Sequence, residues 1–179
     1  MPDISNITDK AVSCFLAHSL VGHYHTKGEN VHKYFAVVSR LIDKAKYEYL
    51  LAREAALEEE KEGKLSYEQL EKRNQGQYFY TNTITNHLEN CINAVARIYK
   101  ILRRLPPNYS FSASSKAKKI RDSIEHIDER IANSIQGSVS LNIAEDASSV
   151  ELVNEHLSML DLADEIKVLN KTILEFLQK

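Results

Sequence analysis

The chain has 179 residues, enough for one domain with a sizeable core and short for two. Five glycines and three prolines beside 27 % charged residues exclude collagen-like, low-complexity and turn-rich all-β chains. Lys+Arg 23 against Asp+Glu 25 gives a formal charge of -2, which excludes a uniformly basic nucleic-acid binder and leaves room for a local basic patch.

In chain order, a short helix is expected from about Thr8 to His23. The region Val31 to Ala56 reads as one long helix, because Val31, Phe35, Val38, Ile42, Ala45 and Tyr49 recur at steps of four and three and so form one stripe. Asn30 is its expected cap. The helix runs on through Glu58 to Glu62 until Gly63, a residue suited to a left-handed cap. Ser66 and Gln69 have capping-box spacing and open a second long helix. Its stripe is Tyr80, Ile84, His87 or Leu88, Cys91, Val95, Ile98 and Leu102, and Pro106 with Pro107 ends it. Gly63 to Ser66 would be the turn of an antiparallel pair.

After a loop to about Ser115, a third amphipathic segment repeats Ile120, Ile124, Ile127, Ile131 and Ile135 on one buried face. The stretch Ser138 to Ile143 alternates polar and apolar residues, but a lone strand would lack a partner, so it is read as a connection. Ser148 and Glu151 form another capping-box pair. Val153, Leu157, Leu160, Ile166, Leu169, Ile173 and Leu177 then carry a final helix.

No repeat, low-complexity tract or flexible linker divides the sequence, so residues 1–179 are read as a single all-α domain, an elongated up-and-down bundle of about five helices. Two central helices of roughly 30 residues, about 45 Å each at 1.5 Å per residue, offer a long side for association, and a homodimer is the economical expectation. Cys14 and Cys91 have no Cys-x-x-Cys context, so a disulfide or thiolate metal site is not expected and both read as small apolar groups. The longest uncharged stretch, Ala11 to Thr26, is too short and polar to span a bilayer, and no export signal precedes it. The expected setting is the cytoplasm, with no membrane partner.

The segment Lys119 to Ile131 presents Arg121, Asp122, Glu125, His126, Asp128 and Glu129 between its isoleucines. On one continuous helix Arg121 and His126 would stand about 140° apart around the axis, too divergent to pinch one small group within a single chain. A partner helix would have to complete a site. Ordinary surface pairing is the competing account, because Arg121 with Glu125 and Asp122 with His126 have the i, i+4 spacing of helix ion pairs worth about 0.2–0.5 kcal/mol each.

The text Arg121-Asp122-Ser123-Ile124-Glu125-His126 resembles the Arg-polar-x-x-x-His signature of the HEPN superfamily of helical domains, which includes metal-independent ribonucleases of toxin-antitoxin and other defence systems. Its placement late in the chain, after two long helices and before one more, is similar too. The resemblance implies a HEPN-like bundle in which Arg121 and His126 of two protomers form a composite endoribonuclease site across a homodimer interface. His126 would move the proton of the attacking 2′-hydroxyl, Arg121 would stabilise charge on the phosphate, and Asp122 and Glu125 would support them. No metal or other cofactor is implied, and a cognate inhibitor protein is a possible partner. Asp128 departs from the Tyr found there in HEPN toxins paired with nucleotidyltransferase antitoxins. The other implied role is a non-catalytic HEPN-like module that binds a protein or nucleotide.

Between Cys91 and Ile120 there is no acidic residue, while Arg97, Lys100, Arg103, Arg104, Lys116, Lys118 and Lys119 accumulate, with Tyr99, Tyr109 and Phe111 among them. Such a stretch suits an RNA backbone and stacked bases, although cations also complement a helix C-terminus. His18, His23, His25 and His32 raise a metal reading, but only Glu29 and His32 have Glu-x-x-His spacing where a di-iron bundle needs two such pairs. Cys91 with His87, and Tyr78, Phe79 and Tyr80, read as packing residues.

Overall fold

The computed structural model describes residues 1–8, 10–22, 29–65, 68–69, 79–109, 111–133, 138–144 and 146–179. Their helices are α1 (Ala11–Leu20), α2 (Glu29–Glu62), α3 (Phe79–Leu102), α4 (Lys116–Glu125), α5 (Ile127–Ala132) and α6 (Met159–Gln178), with a 3-10 turn at Pro107–Tyr109. Three strands, β1 (Ser138–Ile143), β2 (Ser149–Val153) and β3 (Glu155–Ser158), complete the chain. The molecule is thus mainly helical but not all-α.

Apart from Tyr80, which is half-buried, the stripes expected on the two long helices are buried where the spacing put them. Val31, Phe35, Val38, Ile42, Ala45 and Tyr49 of α2 face Ile84, Leu88, Cys91, Val95, Ile98 and Leu102 of α3. Leu88, not His87, takes the core position. Cross-links Tyr80 to Glu62, Thr81 to Glu59 and His87 to Glu48 run in opposite sequence directions, so the pair is antiparallel. Gly63 ends α2 without a left-handed φ: its amide donates to the Glu59 carbonyl at 2.9 Å, and the amides of Lys64 and Leu65 close tight turns behind it. Asn30 lies inside the first turn of α2, and Ser66 is outside the described residues.

The start of α1 is capped from a distance. Lys10 offers it no side-chain bond, and the amides of Ala11 and Val12 donate to Asp43 Oδ1 and Oδ2 at 3.1 and 3.0 Å. Asp43 also pairs with the buried Lys46 at 2.9 Å, and Lys46 donates to Asn170 of α6 at 3.1 Å. One polar chain therefore joins α1, α2 and α6 inside the apolar layer, where an unpaired lysine would be costly.

The sheet corrects two expectations. Ser138 to Ile143 is a strand after all, because it has the partner it seemed to lack. β1 pairs antiparallel with β2 through Ser138↔Val153 and Ile143↔Val150, with an irregularity between, and β2 pairs with β3 through Val150↔Leu157 and Leu152↔Glu155. The final helix does not begin at Ser148. Val150, Leu152 and Leu157 are buried on one face with Glu151 outside, a period of two that overrides the helical spacing of Val153, Leu157 and Leu160. Leu160 is accordingly exposed. The helix starts ten residues later, where Ser158 Oγ accepts from the Asp161 amide at 3.0 Å and donates to its carboxylate at 2.8 Å. That is the working N-cap.

The five-isoleucine helix is also two helices. α4 ends at Glu125, His126 takes φ -108 and ψ 21, and α5 restarts at Ile127 with Asp128 and Glu129 in its first turn, where carboxylates favour a fresh N-terminus. Ile120 is buried, Ile124 and Ile127 are half-buried against the core, and the Ile131 side chain and Ile135 lie outside the described residues. Strands β2 and β3 pack on α4. The buried residues form one cluster from Ile4 to Leu177.

Candidate functional site

α4 carries the Arg-polar-x-x-x-His text, and its position is set by its first turn. Ser115 caps it, accepting from the Lys118 amide at 3.0 Å. Glu165 of α6 then accepts from Ser115 Oγ at 2.8 Å, from the Lys116 amide at 2.7 Å and from the Ala117 amide at 3.4 Å. Burial pushes the Glu165 carboxyl above its ordinary range, against the lowering effect of those three donors. Lys116 Nζ reaches Asp161 Oδ2 at 2.8 Å, and Asp161 is held below the usual carboxylate range by its bonds from Lys116 and Ser158.

Arg121 is a quarter exposed and is held within its own helix. Its guanidinium pairs with Asp122 Oδ1 at 3.3 Å and with Glu125 Oε1. Asp122 also takes Lys118 Nζ. Burial would raise the Asp122 carboxyl, but the bonds from Lys118 and Arg121 outweigh it and hold the group low. His126 lies beyond the helix end, with its amide on the Asp122 and Ile124 carbonyls and its ring Nδ1 3.3 Å from Glu129 Oε2, and its side chain is 57 % exposed. The expected Arg121–Glu125 pair forms; the expected Asp122–His126 side-chain pair does not. Within one chain Arg121 and His126 share no partner. Ser123, between them, is fully buried with a hydroxyl that has no hydrogen-bond partner.

The basic stretch divides in two. Lys116 and Lys118 are engaged by Asp161 and Asp122, whereas Arg97, Lys100, Arg103, Arg104 and Lys119 are exposed and hold no carboxylate among the described residues. The aromatic residues expected to stack bases are instead core. Tyr99 and Tyr109 are buried, Tyr99 lies against Phe111 with ring centroids 5.2 Å apart, and Tyr109 meets Phe35 and Phe176 edge-on. Their rings fill the gap where the end of α3 and the following turn close over the core.

Among the described residues no group of three or more histidine, cysteine or carboxylate side chains is arranged to hold a metal ion. His32 Nε2 lies 3.1 Å from Ser19 Oγ with its ring against Phe15, while His23, His25 and the Glu29 side chain are outside the described residues. His87 Nδ1 bonds Glu48 Oε2 at 2.7 Å. Cys91 is fully buried, its thiol pushed far up by that burial, which makes it inert as a nucleophile. Cys14 is half-buried, and neither cysteine is in a disulfide. Tyr80 donates to Glu62 at 3.1 Å, and Tyr78 and the Phe79 side chain are outside the described residues.

Compared with known proteins, the chain significantly matches no protein family, no curated protein and no solved structure. No described helix is long and apolar enough to cross a membrane.

Proposed function

We propose that the protein is a HEPN-like helical module that binds RNA without cutting it, through the exposed, unpaired cations Arg97, Lys100, Arg103, Arg104 and Lys119. The observation behind this reading is the contrast between those five groups and Arg121. Five solvated cations that hold no ion pair among the described residues suit the sequence-independent attraction of a phosphate backbone. Arg121 faces two carboxylates of its own helix. Pairs this exposed are worth about 0.2–1 kcal/mol, so a phosphate could displace them, but Asp122 and Glu125 would remain beside it and repel it.

A second reading is a metal-independent endoribonuclease, a toxin or defence component with a composite site at a homodimer interface. His126 favours it: the imidazole is open to solvent at the α4–α5 break, where a second protomer's guanidinium could approach, and an imidazole can serve both as proton acceptor and as proton donor. Incubation of the protein with single-stranded RNA in chelator separates the two. The expected result is a mobility shift with intact RNA, weakened when Arg103 and Arg104 are replaced by Gln. Cleavage leaving cyclic phosphate ends, lost in both Arg121→Ala and His126→Ala, would establish the nuclease instead.

A further inference from the structure

Exposed cations without an ion pair among the described residues do not stop at α3. Arg97 lines an open groove of about 500 Å³ with Arg40 and Lys44 of α2, floored by Val12, Val37 and Leu41. None of the three cations holds an ion pair among the described residues, although the chain has 25 acidic residues to offer against 23 basic ones. Arg40 and Lys44 stand at i, i+4 on one helix, a like-charge spacing that costs about 0.2–0.5 kcal/mol by itself, and Arg97 adds a third positive charge across the groove. Cations gathered in a concavity raise the local concentration of anions.

Resting on the RNA-binding reading above, we infer that this groove carries a single RNA strand across α2. Arg40, Lys44 and Arg97 take its phosphates, and the exposed ring of Tyr47, one turn beyond Lys44, takes a base. Three observations choose a nucleic-acid strand over other polyanions. Arg97 and Lys100 share a face of α3, and Arg104 follows at the next step of four in the turn that ends it, with Arg103 beside it, so cations continue along the chain from the groove. The groove is recessed between helices, which admits a strand but not a flat bilayer. Tyr47 is 62 % exposed and supplies the stacking surface that Tyr99 and Tyr109, being buried, do not. These residues lie far along the sequence from the basic stretch, and the antiparallel pairing of α2 with α3 brings them to it.

The test is fluorescence anisotropy of a labelled single-stranded RNA against salt concentration, with circular dichroism melts to show that each variant is folded. Arg40→Gln/Lys44→Gln should bind about tenfold more weakly and lower the slope of log K against log salt by about 1.4, roughly 0.7 for each phosphate no longer neutralised. Tyr47→Ala should weaken binding about tenfold with the salt slope unchanged, and Tyr47→Phe should restore it. If Arg103→Gln/Arg104→Gln weakens RNA binding and the Arg40, Lys44 and Tyr47 variants do not, RNA binding stands and the groove is overturned. If the wild type leaves RNA free, both fall. Binding of polyglutamate or phosphatidylserine vesicles in place of RNA would likewise overturn the assignment.

Discussion

At Glu165 two effects of opposite sign meet. A carboxylate at a helix N-terminus is favoured by the dipole and by the three donors it accepts, yet burial disfavours its charge, and burial prevails. The folded-state carboxyl therefore binds its proton more tightly than the ordinary value of 4.5. Its contribution to stability is complete below that value and is lost as pH rises through the raised folded-state pKa. Denaturant midpoints of wild type and Glu165→Gln should diverge from about pH 4.5 upward, with the wild type falling relative to the variant. A difference that grew in the wild type's favour would mean that the capping charge dominates. Single residues were the hardest scale to read in advance. Arg121–Glu125 followed from spacing alone, but Glu165 stands 48 to 50 positions from the residues it bonds at the start of α4 and could be placed there only by the fold. Tyr99 and Tyr109 show the reverse error, since proximity to arginines in sequence said nothing of the side to which their rings turned.

Among the elements, the two long helices were legible because their stripes run for several turns without interruption. The sheet was not. Its β2–β3 connection has two residues, Val153 and Asn154, and Val153 sits at φ 58, a conformation that glycine or asparagine normally announces. A β-branched residue there hides the turn from any reading of composition. The strands also share their apolar residues with a plausible helical pattern, and Ser148–Glu151 imitates the cap that Ser158–Asp161 actually makes. Leu157 of β3 is fully buried and, with Val150 and Leu152, ties the sheet to the core. Leu157→Ala should cost about 2–5 kcal/mol in urea unfolding, whereas Leu160→Ala, which the helical pattern ranked equally, should change stability by less than about 0.5 kcal/mol. Equal losses would restore the helical reading of this segment.

Over the whole molecule, the mainly helical class followed from composition and periodicity, but the layer formed by the sheet against α4 did not. That layer separates the chain from the simple bundle its motif suggested. It covers one side of the motif helix. The distant cap on α1 has a consequence for the order of events in folding. A ten-residue helix is marginal alone, and its two first amides are satisfied only after the chain has closed a loop of some 31 residues to Asp43. The local α2–α3 pairing should therefore form early and α1 should dock late, making α1 the first part to open again. In native-state amide exchange, Asp43→Ala should speed exchange across α1 by about tenfold while α3 keeps its protection, so that this end of the protein breathes as a unit of its own.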